Sequence, residues 1–283
     1  MLDPRLLRSF AAIADTGSFT QAAERLNMTQ STISQQLGRL EEAVGGELVD
    51  RAARPVRLTA IGERLLGYAR RMLDLQREAE AMLGDTAGTT SLRIGVPEDI
   101  VSRSMAKVFA AFAEHHRDVR LDVVAGLSRD LTRRYRAGEF DIVVVKEPLP
   151  SPDRRASYPE AMGWFEGEGA PQSWPDPLPL VTFPPGGLYR EAMFERIERE
   201  GHAWYVAFSG NSLHSVLTAV EAGLGLAILP VASTTGYTLR PYARFGMAEA
   251  FSVSLYAWEA TGRTGDLVAG MDAALKERFD IQR

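Results

Sequence analysis

Along the first 83 residues, apolar positions recur with helical spacing and are interrupted by turn formers. Leu6, Leu7, Phe10, Ile13 and Ala14 predict an amphipathic helix over residues 5–14, with Gly17 as its stop. Thr20 can cap a second helix over 21–26, where Ala22 and Ala23 are small enough to admit a neighbouring helix. Asn27 tolerates left-handed backbone and ends it. Thr29 then caps a third helix starting at Gln30, with Ile33, Leu37, Leu40 and Val44 along one face. After Gly45-Gly46, residues 47–51 and 55–58 read as two short strands of a hairpin, a wing. Thr59 caps a longer helix in which Leu65, Ala69, Met72, Gln76, Ala79 and Leu83 follow at intervals of four and three. That spacing makes a coiled-coil seam, which needs a partner helix, so Leu65, Ala69, Met72 and Gln76 are dimerisation candidates. Gln76 would fix the pairing register at some cost in stability.

Residues 84–90 are small and polar, the composition of a linker. Beyond them the pattern alternates between short strands and helices, which implies a parallel α/β sheet. The first set comprises strands at 92–96, 121–124 and 142–145, with helices at 105–115 and 128–137. A run containing Pro148, Pro150, Pro152 and Pro159 reads as a crossover, and the alternation restarts near Trp164. The second set has strands at 180–183, 204–208 and 226–229 and helices at 189–200 and 212–222. The fold expected is α/β, two subdomains of similar size behind an all-α winged helix-turn-helix. Its boundaries are 1–58 for the winged unit, 59–90 for the dimerisation helix and hinge, 91–160 plus 260–283 for subdomain I, and 161–259 for subdomain II. No repeat of fixed period is present.

Composition narrows the function. The chain has no cysteine, which excludes disulfides, thiolate metal sites, cysteine nucleophiles and thiol-based sensing. Four histidines offer little for acid-base or metal chemistry, and the adjacent His115-His116 cannot face one site from a helix. No cofactor and no metal are expected, and an enzyme reading lacks a nucleophile or acid-base pair. No run of 18 apolar residues occurs, and Asp3, Arg5, Arg8 and Asp15 stand where a signal peptide needs an apolar core. A cytoplasmic location away from membranes is the expectation, and a free-standing exported solute binder is disfavoured. The net charge of −5 arises beyond residue 83, since residues 1–83 hold 11 Arg, no Lys and 11 acidic residues. Any attraction to a polyanion would have to come from local clusters such as Arg51, Arg54 and Arg57.

The run from Ser18 through Ala22-Ala23-Glu24-Arg25-Leu26 to Thr29-Gln30-Ser31-Thr32-Ile33-Ser34 resembles the helix-turn-helix of LysR-type transcriptional regulators. Leu40-Glu41-Glu42, Gly45, Leu48, Arg51, Leu58-Thr59 and Gly62 continue the resemblance over roughly residues 5–65. Residues 91–283 resemble the family's effector domain through Arg93-Ile94-Gly95, Gly138-Glu139-Phe140-Asp141-Ile142 and the run Ala222 to Pro230. The resemblance implies a periplasmic-binding-protein-like fold, DNA binding modulated by a small molecule, and homodimers that pair into homotetramers.

On that frame, Thr29, Gln30, Ser31, Ser34 and Gln35 are the candidates for reading double-stranded DNA, since they lie off the Ile33, Leu37, Leu40 stripe. Family members often carry Arg where Gln35 stands, and Gln favours adenine. Arg51 and Arg54 would meet phosphate or the minor groove. A dimer would read a dyad-symmetric site. Ligand contacts of two-lobed binders come from loops after strand ends, which selects Pro97, Glu98, Asp99, Ser128, Lys146, Phe183, Ser209, Asn211 and Ser212. Lys146 with the helix start at 209–212 points to an organic anion as effector. The alternative is that Lys146 is paired and the helix start merely capped, leaving a cleft for a neutral or aromatic ligand beside Phe183 and Pro97.

Overall fold

The computed structural model describes residues 2–83 and 90–280, with the side chains of 77, 78 and 81–83 left aside; most of the linker expected at 84–90 lies outside the described residues. The chain divides into two compact units. The first is built on residues 2–83 and 90–92, joined by 118–120 and 133–141. It opens with α1 (Pro4–Thr16), α2 (Phe19–Leu26) and α3 (Gln30–Val44), followed by the antiparallel wing strands β1 (Val49–Asp50) and β2 (Arg57–Leu58), and α4 (Ala60–Leu83). Local chemistry sets each boundary. Asp3 caps α1 and Gly17 closes it at φ 62°. Ser18, not the expected Thr20, caps α2 by accepting from the Gln21 amide, so the helix begins two residues earlier. Asn27 ends α2 at φ 53°, and Thr29 caps α3.

Leu7, Phe10, Ile13, Ala22, Ala23, Ile33, Leu37 and Leu40 interlock the three helices, and Leu66, Ala69 and Leu73 add α4 to the same core. The wing is braced against α3, because the Glu41 carboxylate accepts from the Leu48 amide at 3.0 Å and from Arg51 at 2.7 Å. Gly62 lets α4 start beneath it, since a Cβ there would lie 2.0 Å from the Leu48 carbonyl oxygen. Residues 133–141, expected with subdomain I, pack on α4 in this unit: Arg71 lies 2.7 Å from Asp141 and Arg70 donates to the Ala137 carbonyl at 2.6 Å.

The second unit carries most of β3 (Thr90–Val96), α5 (Arg103–His115), β4 (Val119–Ala125), α6 (Ser128–Arg136) and β5 (Ile142–Glu147). The chain continues through β6 (Ala156–Gly167), β7 (Leu178–Thr182), α7 (Leu188–Arg199), β8 (Trp204–Ser209), α8 (Leu213–Glu221), β9 (Ala227–Pro230), β10 (Leu239–Pro241), β11 (Met247–Ala257) and α9 (Gly262–Asp280). A seven-stranded sheet has the order β10-β6-β11-β5-β3-β4, with β9 also on β6. It is mixed rather than parallel. β3 and β5 run parallel, but β11 is antiparallel to both β5 and β6, and β6 is antiparallel to β9 and β10. The run read as a crossover from its prolines is in part strand β6, with Pro159 paired opposite Ser252.

β6 and β11 belong to two lobes at once. Near one end, Ser157 pairs with Ser254, itself opposite Val145 of β5. Near the other, Met162 and Gly163 pair with Ala248 and Met247, and β9 joins at Met162–Phe165. A register shift between Ala248 and Phe251 interrupts the pairing of β11 with β6 between these two ends. The first lobe holds β3, β4 and β5, with α9 packed on α5. The second holds the parallel pair β7-β8 and a core of Trp164, Leu180, Met193, Ile197, Val216, Val220 and Ile228.

Candidate functional site

Two surfaces carry the expected residues, one in each unit. On α3, Ile33, Leu37 and Leu40 are fully buried and turn the opposite face outward. Gln30, Ser31 and Gln35 are exposed there and Ser34 is half-buried. Thr29 is spent on the fold: its hydroxyl accepts from the Thr32 amide at 3.2 Å and lies 2.9 Å from the Ser31 hydroxyl. The arginine assignments change. Arg51 is paired with Glu41 and sits 5.8 Å from the Phe19 ring, which makes it a tether of the wing rather than a free cation. Arg54 turns back to the Arg51 and Ala53 carbonyls through one nitrogen. Arg57 on β2 and Arg39, one turn beyond Gln35 on α3, are exposed with no partner among the described residues. The spacing of Arg39 from Gln35, four residues on a helix, was the signal that could have found it.

Among the described side chains of α4 the large exposed apolar ones are Ile61 (37%), Tyr68 (56%), Met72 (43%) and Leu75 (57%), with Leu65 half-buried between them. They too follow intervals of four and three. Ala69 is fully buried against the unit's own core, and Gln76 donates to Glu80 at 2.8 Å. The exposed stripe therefore keeps Leu65 and Met72 but runs through Tyr68 and Leu75 rather than Ala69 and Gln76.

The second unit contains a cleft of about 330 Å³ between its lobes. From the first lobe come Pro97, Glu98 and Asp99 after β3, residues 125–128 after β4, and Lys146 near the end of β5. From the second come Phe183, residues 187–189 at the start of α7, and Asn211 and Leu213 at the start of α8. Of the residues chosen from sequence, Pro97, Glu98, Asp99, Ser128, Lys146, Phe183 and Asn211 meet there. Ser209 and Ser212 do not line it. Ser212 caps α8 through the Ser215 amide at 3.1 Å. Ser128 accepts from the Lys146 amide at 2.9 Å.

Lys146 is not the free cation expected. Its ammonium pairs with Asp99 and lies 2.7 Å from Glu160 of β6, with only 4% of the side chain exposed. Arg278 of α9 approaches Asp99 at 3.9 Å and donates to its carbonyl. The Tyr189 ring lies 5.7 Å from the ammonium. Burial alone would pull Lys146 down, but Tyr189, Asp99 and Glu160 outweigh it, so its affinity for the proton rises above the ordinary range. Burial pushes Glu160 upward against the pull of Lys146. Two cations thus face two carboxylates, and the group as a whole is balanced. Tyr189, Leu188 and Leu213 were missed, although extending the strand-end rule to the following helix start would have reached them. Glu160 and Arg278 carry no such signal.

A helix-turn-helix with a polar outer face and a two-lobed cleft on one chain are the parts of a ligand-responsive DNA-binding protein. Residues 4–63 match the bacterial regulatory helix-turn-helix protein, lysR family, and residues 86–241 match the LysR substrate binding domain. The chain belongs to the LysR family of transcriptional regulators. The transcriptional regulator DgdR of Burkholderia cepacia is 32% identical over 228 residues, which are 81% of this chain and 78% of that protein. PecT of Dickeya dadantii, another regulator of the helix-turn-helix type, is 31% identical over 235 residues, 81% of this chain and 73% of its own length. The crystal structure of ArgP from Mycobacterium tuberculosis superposes with a TM-score of 0.64 at 25% identity, covering 97% of both chains. This LysR-type regulator is thus a DNA-binding protein modulated by a small molecule, and not an enzyme. Among the described residues no helix is long and apolar enough to cross a membrane.

Proposed function

We propose that this LysR-type regulator reads base edges with Gln30, Ser31, Ser34 and Gln35, and grips phosphates with Arg39, Arg54 and Arg57. The observation that carries this is the outward polar face of α3, held by three fully buried residues on its other side. Gln offers a donor and an acceptor matched to adenine, whereas the arginines bind backbone without regard to sequence. The exposed stripe of α4 pairs with the same stripe of a second copy, so two recognition helices meet the two halves of a dyad-symmetric site. Such dimers are the units from which the tetramers implied by the family are built. The effector occupies the cleft between the lobes and acts through its different affinity for their open and closed arrangements.

The test uses duplexes selected from random DNA by the full-length protein. Gln30→Ala and Ser34→Ala should each weaken binding to the selected duplex by about 1 to 3 kcal/mol, with scrambled duplex bound as before. Fluorescence anisotropy showing equal losses on both duplexes would rule out base reading by these residues.

A further inference from the structure

We propose that the cleft takes a zwitterion of the amino-acid type, its ammonium held by Glu98 and Asp99 on the first lobe and its carboxylate by the start of α7 on the second. This ligand chemistry rests on the reading of the cleft as the effector site.

The first-lobe wall does not suit an anion. Lys146 and Arg278 are matched by Asp99 and Glu160, all four largely buried. A ligand carboxylate placed against Lys146 would have to displace one of these partners and leave an uncompensated carboxylate in a dry site, a costly exchange. The same wall does offer acceptors. Asp99 meets both cations through Oδ2, so its Oδ1 has no partner among the described residues. Glu98 next to it lines the cleft and pairs with nothing described. An ammonium with its three donors fits these oxygens without disturbing the balanced group behind them.

The second-lobe wall has the opposite character. α7 begins at Gly187 with no side-chain cap, and the Leu188 and Tyr189 amides have no acceptor among the described residues. Both residues line the cleft. A Cβ at position 187 would come within 2.6 Å of the Phe183 Cβ, so the tight turn that presents these amides demands glycine. Free N–H groups and the positive end of a twelve-residue helix favour a carboxylate at that point. Between the two walls stand Leu127, Phe183, Leu188 and Leu213, which assign the remaining ligand surface to an apolar side chain.

Calorimetric titration of the full-length protein with matched sets decides this. Leucine, isoleucine, valine, methionine and phenylalanine are each compared with the acid lacking the amino group and the amine lacking the carboxylate. At least one amino acid should bind tenfold or more tightly than both of its analogues. Glu98→Gln should cost that ligand about tenfold, the scale of one charge-assisted hydrogen bond, while Ser209→Ala, off the cleft, leaves it unchanged. Silence of every amino acid, an analogue as tight as its parent, or an unaffected Glu98→Gln protein overturns the zwitterion. A thermal-shift screen of neutral and anionic metabolites on wild type and on Asn211→Trp, which fills the cleft, separates the two levels. A ligand that stabilises wild type alone, without any amino acid binding, removes the zwitterion and keeps the cleft. A ligand that stabilises both proteins equally removes the cleft as the effector site.

Discussion

A lysine held between two carboxylates at the floor of a cleft stabilises the fold only while all three charges are present. Taking Lys146 away as Lys146→Met leaves Asp99 and Glu160 facing each other in a site with little water, with Arg278 near only one of them. Loss of one partner from a buried pair costs about 3 to 5 kcal/mol, far more than an exposed pair contributes. Urea denaturation of the variant should show a loss of that order, and a loss under about 1 kcal/mol would mean that the network contributes little. The position of Lys146 at a strand end was legible in the sequence. Its partners were not, since Asp99 lies 47 residues away and Arg278 stands 179 residues beyond Asp99, and no local pattern records such meetings.

Tyr256 gives a pH test at the same scale. Its hydroxyl donates to Glu147 and accepts from the Ser151 amide at 2.9 Å, and burial together with the Glu147 bond pushes the phenol up from 10 to about 12. A pKa raised in the folded state marks stability that is complete below the unfolded value and lost as pH climbs through the folded one. Tyr256→Phe should therefore melt below wild type at pH 8, and the gap should close between pH 10 and about 12. Thermal melts with a constant gap across that range would contradict the assignment.

At the scale of elements, α4 explains why a sound pattern can select the wrong face. Two sets of positions share Leu65 and Met72 at intervals of four and three, one through Ala69 and Gln76, the other through Tyr68 and Leu75. Periodicity cannot rank them. Side-chain size does, once α1 is in place: Ala69, with Leu66 and Leu73, fits close against the core, and the bulky Tyr68 and Leu75 are turned outward. Met72→Glu with Leu75→Glu should convert dimers to folded monomers in light scattering, because the charges fall on a face that no described residue covers. Ala69→Glu should instead unfold the first unit. Dimers surviving the double change would place the pairing surface elsewhere. The cap of α2 teaches the same lesson more mildly, since Ser18 and Thr20 are both good caps and only the chain's entry from Gly17 selects Ser18.

For the whole molecule, the α/β class was legible from alternating elements and the helix-turn-helix from its order of caps and apolar positions. The mixed sheet was not, because β6 opens under a run of prolines and its partner lies at the other end of the sequence. The lobes joined by β6 and β11 also touch through Arg129 of α6 and Glu191 of α7, a bidentate pair about half exposed. Such a pair contributes up to about 1 kcal/mol, enough to tip lobes of nearly equal energy without altering the fold. The chain has no cysteine of its own, so Lys107→Cys and Glu198→Cys allow one spin label on each lobe. Glu191→Ala should broaden the interlabel distance distribution toward longer values while the melting temperature stays nearly constant. An unchanged distribution would show that the pair does not hold the lobes.

The pairing of β6 with β11 also sets a timetable for synthesis. Ser157 and Ser254 stand 97 residues apart, so the central sheet cannot close until nearly the whole chain has left the ribosome. The buried residues shared by α1 to α4 all lie between positions 7 and 73 and meet over short range, so these helices can associate while most of the chain is still unmade, with residues 133–141 added later against α4. The helix-turn-helix can thus form before the effector cleft exists, and a nascent chain stalled between them would carry a recognition helix without the lobes that take the ligand.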